Sequence, residues 1–185
     1  PDELVFETLL PGGFTSLCYD GQYFFDTDHP IGETGSTQSN KITTALDATS
    51  FQTARTMLRK MKDDFGRPTM NRNMDLLIVV PADLEATAET IFEALINSSG
   101  ATNTLKGKAR ILVADWLSDT NNWYLLNVAG IIKPFVVQER EFIPFEALEE
   151  GSESNFMRKK NYYGTYWRGN AGYGLYQKAV GSLVA

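Results

Sequence analysis

Leu76-Leu77-Ile78-Val79-Val80 is the longest apolar run in the chain and constrains its fold more than any other segment. Five consecutive apolar residues, three of them β-branched, leave no polar face, so the run reads as a buried strand. Pro81 follows at a position suited to a helix start. Leu84, Ala88, Ile91, Phe92 and Leu95 then recur at helical spacing, up to the stop Asn97-Ser98-Ser99-Gly100. Together these residues predict a strand–helix unit.

A second helix is predicted over residues 47–64. Phe51, Ala54, Leu58, Met61 and Phe65 share one face at spacings of three and four. Asp47 or Thr49 is suited to cap it, Thr49 with Gln52 matches a capping box, and Gly66 with Pro68 ends it. Residues 2–10 read as the last turns of a helix stopped by Pro11-Gly12-Gly13. Residues 14–45 are rich in Gly, Ser, Thr, Asp and Asn and read as a long irregular segment. Further strands are predicted over 109–114, 123–128 and 135–142, with turn chemistry at Ser118-Asp119-Thr120-Asn121-Asn122. Residues 146–154 are an acidic connection. Residues 155–168 form a long extended stretch of aromatic and basic residues, broken by Gly169–Gly174 and followed by a short final strand or turn. The order is α+β, not a repeated βαβ.

Length carries information in the 155–168 stretch. As one strand it spans roughly 40–45 Å at about 3.3 Å per residue. A compact domain of this size has a radius of gyration of only about 16 Å. A continuous strand therefore projects from the body, and projecting edges invite pairing with a partner.

Composition narrows the function classes. The 185 residues suffice for one medium domain, or one domain and a smaller extension. The net charge of −6 excludes non-specific binding to phosphate backbones, which relies on many Lys and Arg. Cys18 is the single cysteine, so no internal disulfide and no cysteine zinc site can form, and a reducing cytoplasm fits. No apolar run approaches the roughly 18 residues of a membrane helix.

The residues offer little chemistry. Asp26, Asp28 and His29, with Asp20 nearby, are the best candidate metal ligands and define an alternative reading as a small metal-dependent hydrolase. A polar turn before Pro30 is the favoured account of them, because no second histidine exists to complete a two-histidine site. Nothing sets Cys18 or a serine beside His29 as a nucleophile pair. Gly100–Lys108 fails the phosphate-loop spacing, and Gly169–Gly174 fails the dinucleotide fingerprint. No cofactor is expected. Arg158, Lys159 and Lys160, followed by Tyr162, Tyr163, Tyr166, Trp167 and Arg168, mix cations with aromatics as protein interfaces do. Single-strand nucleic-acid binders share that mixture, but the acidic remainder favours a protein contact.

Seven segments, in order, resemble the Mu-like prophage major head subunit family. They are Tyr19-Asp20-Gly21-Gln22-Tyr23-Phe24-Phe25 with Asp28-His29-Pro30; Ser39-Asn40-Lys41; Ala54-Arg55 with Lys62-Asp63-Asp64-Phe65-Gly66-Arg67-Pro68; Gly100-Ala101-Thr102-Asn103-Thr104-Leu105-Lys106-Gly107; Gln138-Glu139-Arg140-Glu141; Asn155-Phe156-Met157-Arg158-Lys159; and Arg168-Gly169-Asn170-Ala171-Gly172-Tyr173-Gly174-Leu175. Asp26 and Asp28 depart from the small residues expected there.

The resemblance implies the tailed-phage major capsid fold. Residues 46–134 and 170–185 would be axial domain. Residues 1–45 and 135–169 would be peripheral domain and connecting loop, with long strands. The family's N-terminal arm and extended loop would lie ahead of Pro1, so that this chain alone is expected to be monomeric or weakly associated. The implied function is a head subunit that self-assembles, as pentamers and hexamers, into an icosahedral shell, non-enzymatic and part of the virion. The shell is assembled in the bacterial cytoplasm and encloses DNA without sequence-specific binding; scaffold or protease partners are possible during assembly, and no membrane partner is expected. A non-viral compartment shell of the same fold is the other alternative. Subunit contacts are expected at Arg140, Arg158, Lys159, Lys160, Tyr162, Tyr166, Trp167 and Arg168, and at Thr102, Asn103 and Lys106 near a ring axis.

Overall fold

Leu76–Val80 forms a strand, β4, and both of its faces are covered. The computed structural model describes residues 4–32, 35–69, 74–97, 99–141, 144–148 and 153–184. β4 lies in a five-stranded mixed sheet with β3 (Lys41–Ile42), β5 (Arg110–Val113), β6 (Trp123–Asn127) and β11 (Ala179–Ser182), in the order β3-β11-β6-β4-β5. β6 runs antiparallel to both β4 and β11, whereas β3 is parallel to β11 and β5 is parallel to β4. Alternation along the strands divides the core in two. Leu76, Ile78, Val80, Trp123, Leu125 and Val180 face one layer, and Val79, Tyr124, Leu126 and Ala179 face the other.

Two helices cover the first face. α2 (Ala48–Lys60) buries Phe51, Ala54 and Leu58, and α3 (Glu85–Phe92) buries Ala88 and Phe92. The Phe51 and Phe92 rings meet edge-on with centroids 4.7 Å apart. α3 makes the crossover between parallel β4 and β5, so one βαβ unit sits inside the α+β order. The second face is covered by the segment before β3. There a π-helical turn, Leu4–Leu9, leads into a short helix, α1 (Leu10–Gly12), and Leu10, Phe14, Phe24 and Phe25 are buried. Short strands β1 (His29–Pro30) and β2 (Thr37–Gln38) pair antiparallel within the otherwise irregular stretch.

The helix boundaries differ from the sequence reading for local reasons. The capping box uses Asp47 and Ser50, not Thr49 and Gln52. The Ser50 amide donates to Asp47 Oδ1 at 2.6 Å, and the Asp47 amide donates to Ser50 Oγ at 2.9 Å. α2 then stops at Lys60, because Met61 turns extended. Asp63 organises the next turn by accepting from the Phe65 and Arg67 amides, which leaves Phe65 80% exposed instead of on the helix face. α3 stops at Phe92, because the following loop takes its last carbonyls. Asn103 Nδ2 donates to Ile91 O and Ala94 O, and the Gly107 amide donates to Phe92 O. Leu95 is consequently exposed.

Removing the Asp47 cap with Asp47→Ala is expected to lower stability by about 1 kcal/mol. The Ser50 amide, foremost, holds the Asp47 carboxyl below its ordinary value. A depressed carboxylate stabilises the fold above its unfolded value and ceases to do so as pH falls through its folded one. The gap in thermal midpoint between wild type and variant should therefore close as pH falls below about 4.

The chain divides into two units, residues 1–136 with 172–185, and residues 137–171. The second contains most of β7 (Phe135–Glu141) and β10 (Arg168–Tyr173), which pair, and the antiparallel pair β8 (Phe145–Leu148) and β9 (Tyr162–Thr165). A helix, α4 (Glu153–Arg158), lies between β8 and β9. The single long strand expected over 155–168 is not formed. Its first residues are helical, and Lys159 adopts a positive φ of 51°. Gly169–Gly174 does not break a strand either, because β10 runs through it to Tyr173.

Candidate subunit-contact surface

Pairing of β7 with β10 brings together two arginines that are 28 positions apart in the sequence. Gln138, Arg140, Arg168, Gly169 and Asn170 line a shallow pocket of about 350 Å³. The neighbouring Trp167 donates from Nε1 to Glu139 Oε1 at 3.1 Å. Gly169 is required by space. A Cβ there would collide with the Trp167 ring and lie 2.8 Å from Gln138 O. Arg140 and Arg168 are exposed and present two cations on one surface.

The remaining cation–aromatic candidates belong to the same unit. Arg158, Lys159 and Lys160 are exposed around the end of α4, with Lys159 Nζ 5.9 Å from the Phe156 ring centroid. Tyr162 lies on β9, and Tyr166 and Trp167 follow it. Phe145 and Tyr163 stack across β8 and β9 with centroids 5.8 Å apart. Among the described residues of 137–171, none is buried. Phe145 is 75% exposed, Phe156 81% and Met157 73%.

The loop candidates divide. Thr102 and Lys106 are exposed, and Thr102 bridges to Ile96. Asn103 is half-buried and caps α3, as described above, while its Oδ1 accepts from the Leu105 amide at 2.9 Å.

The candidate metal ligands do not converge. His29 is fully buried, with Nδ1 2.6 Å from Asp20 Oδ2 and Nε2 3.1 Å from Asn40 Oδ1. Its ring stacks on Tyr176 at 3.8 Å and 5°. Asn40 is locked, since its Nδ2 donates to Phe24 O and Tyr176 O, and its Oδ1 also accepts from the Asp26 amide. The Asp26 carboxylate accepts from the Thr27 and Tyr23 amides, and Asp28 is exposed. Among the described residues, no three His, Cys, Asp or Glu side chains are grouped closely enough to hold a metal ion. Asn40 is the partner that sequence reading missed. Its only signal was its place in Ser39-Asn40-Lys41, since a contact across eleven residues follows no local period.

The structural comparison points to phage heads. The bacteriophage JBD30 capsid protein superposes with a TM-score of 0.55 at 22% identity, covering 64% of this chain and 63% of that one. The same protein in the capsid decorated with minor capsid protein trimers gives 0.55 at 24% identity, covering 64% and 62%. The chain thus shares the fold of a phage capsid protein. In sequence, the Mu-like prophage FluMu major head subunit of Haemophilus influenzae is 29% identical over 179 residues, 96% of this chain. The major capsid protein of Escherichia phage Mu is 64% identical over 31 residues, 17% of this chain and 10% of that protein. The chain spans 37% of the length of the Haemophilus protein. The profile of the Mu-like prophage major head subunit gpT matches residues 1–45, 40–117 and 118–184, and the chain belongs to that family.

Proposed function

We propose that this chain carries shell-forming contacts of a Mu-like phage head subunit and that its role is structural, not catalytic. The observation that carries this reading is the 137–171 unit, which has no buried residue among those described yet displays Phe145, Phe156, Met157 and several tyrosines. Two-stranded pairs without a core are marginal in water. Their apolar side chains need cover, and family membership favours a further copy as its source.

In this reading residues 46–134 and 170–185 are the axial domain, and 1–45 with 135–169 are the peripheral domain and connecting loop. Thr102 and Lys106 face a ring axis. Head-to-tail contacts close into pentamers and hexamers. Many weak contacts per subunit then add up in the closed shell. The shell encloses DNA, and the net charge of −6 lets packaged DNA move along its wall. Assembly takes place in the bacterial cytoplasm.

Arg140 and Arg168 supply a cationic contact in this scheme. Reversing both, Arg140→Glu with Arg168→Glu, is expected to leave the melting temperature nearly unchanged, because both side chains are exposed. Shell yield should fall at least about tenfold, since losing one side of a desolvated charge pair typically costs 2–5 kcal/mol. Electron microscopy of the expressed head protein is the measurement. Normal shells from the double variant remove the arginines from the contact, and absence of shells from the unsubstituted protein removes the reading itself.

A further inference from the structure

The turn after β6 is anchored and carries two unburied isoleucines. The Val128 amide donates to Asp75 O at 2.8 Å, and the Ala129 amide to Asn127 Oδ1 at 3.2 Å. Lys178 Nζ donates to Ala129 O at 2.7 Å, and Lys133 Nζ donates to Val128 O. On the far side Pro134 is buried, and its carbonyl accepts from the Gly174 amide. Gly130 turns the chain with a φ of 83°. Between these anchors Ile131 is 99% exposed and Ile132 is 55% exposed. An isoleucine in that position forgoes about 1.5–3 kcal/mol of burial unless something covers it. The anchoring lysines also place two ammonium groups at the base of the tip. Partial burial and then the Lys133 charge hold Lys178 below the ordinary lysine value.

An apolar groove of about 600 Å³ lies elsewhere on the same unit. Leu46, Ala86, Thr87, Thr90, Ile91 and Leu105 line it, between the start of α2 and the outer side of α3. Asp47 stands at its edge, and Asp83 lies in the 3-10 turn Ala82–Leu84 that leads into α3. Both carboxylates are exposed, and among the described residues no cation lines the groove. The tip, in turn, carries cations and no carboxylate.

Strand register puts the tip at one end of the sheet and the starts of α2 and α3, which border the groove, at the other. Leu76, the first residue of β4, pairs with Asn127, the last of β6, so the tip leaves from the end where β4 begins. α3 rises beyond Val80, where β4 finishes. α2 rises beyond Ile42, whose neighbour Ser182 pairs with Trp123, the first residue of β6. A knob and its complement on different parts of the surface can join head to tail, the contact type that closes into rings.

We propose that the Ile131–Ile132 tip of one copy seats in the groove between α2 and α3 of the next copy, with Lys133 and Lys178 facing Asp47 and Asp83. This deepens the shell reading and rests on it, because the occupant is a second copy of the chain. Charge complementarity and the placement of knob and groove on different parts of the surface both favour that occupant.

Two cross-linking measurements test the contact. In a Cys18→Ser background, one preparation carries Ile131→Cys and another Thr87→Cys. A short bismaleimide, which joins two thiols by thioether bonds, should give a cross-linked dimer only when the preparations are mixed. Adding Ile132→Asp to the first preparation should cut that dimer at least about tenfold, as expected for losing an anchor worth 1.4 kcal/mol or more. Its thermal midpoint should hold, since Ile132 makes no core contact. The second measurement uses the unsubstituted chain. Carbodiimide coupling followed by peptide mass spectrometry should join Lys133 or Lys178 of one copy to Asp47 or Asp83 of another, distinguished by mixing isotopically labelled and unlabelled chains. Tip-to-tip dimers, or no tip-to-groove product in either measurement, overturn the proposal. Shells that form normally from Ile131→Asp with Ile132→Asp also overturn it while leaving the shell reading intact. That reading fails separately if the unsubstituted head protein forms no shells.

Discussion

Replacing His29 by leucine is expected to destabilise the fold by about 3–5 kcal/mol, the range for breaking a buried ionic or hydrogen-bonded pair by removing one member. His29 has no solvent exposure, and the Asp20 side chain is 8% exposed. Taking away the imidazole leaves the Asp20 carboxylate with the Gln22 amide at 3.1 Å and without its ring partner. The Asn40 Oδ1 keeps only the Asp26 amide. Asn40 cannot turn to compensate, because its amide nitrogen serves Phe24 O and Tyr176 O. The Tyr176 ring also loses one of its two stacked neighbours, keeping Tyr19. Equilibrium urea unfolding reads the loss. The double substitution Asp20→Leu with His29→Leu should be milder than the sum of the singles, because it removes the stranded charge. A single-variant loss below about 1 kcal/mol, the ordinary size for a point substitution, would show that this cluster does not clamp the segment before β3 onto the sheet.

Trp123→Ala should cost a similar 3–5 kcal/mol, the usual range for truncating a buried aromatic. Trp123 is fully buried on the helix-covered face of the sheet, among Leu46, Phe51, Leu125 and Val180. It also ties down the chain ahead of α2, its Nε1 donating to Thr44 O at 3.0 Å. Ser182 Oγ donates to the same carbonyl at 2.7 Å, so the oxygen is not orphaned by the substitution. Most of the loss should therefore be cavity and transfer energy. Trp123→Phe, which keeps most of the ring volume, should lose less than half as much. If the two variants prove equally destabilised, the hydrogen bond and not the packing dominates. Because Leu46 lines the groove and lies in this cluster, Trp123→Ala should also weaken tip-to-groove cross-linking, whereas His29→Leu, on the other face, should not at temperatures where the variant is folded.

Several elements were legible in the residues alone. The Leu76–Val80 run has to be covered on two faces whatever surrounds it, and the spacing of Phe51, Ala54 and Leu58 marks a helix face by local geometry. Asp47 was a visible cap, but its partner Ser50 was not distinguished from Thr49 with Gln52, since a shift of one residue in the helix start changes which pair closes the box. The 155–168 stretch misled because its aromatic and basic residues suit an exposed strand or a short helix equally well when nothing packs on them. That Arg140 and Arg168 line one pocket required knowing that β7 pairs with β10. The isoleucine tip drew no notice, because Ile131 and Ile132 resemble core residues until their exposure is known.

The amino-acid order by itself determined the α+β class, the central strand, the two covering helices and membership of the head-subunit family. Each of these depends on near neighbours or on an ordered set of short segments. Tertiary structure alone decided that His29 is held by Asp20 and Asn40, that two arginines share one pocket, and that an exposed tip and an apolar groove occur on one unit. Those facts depend on which strands pair and in what register, and pairing is selected by burial summed over the whole core, a quantity no short window contains.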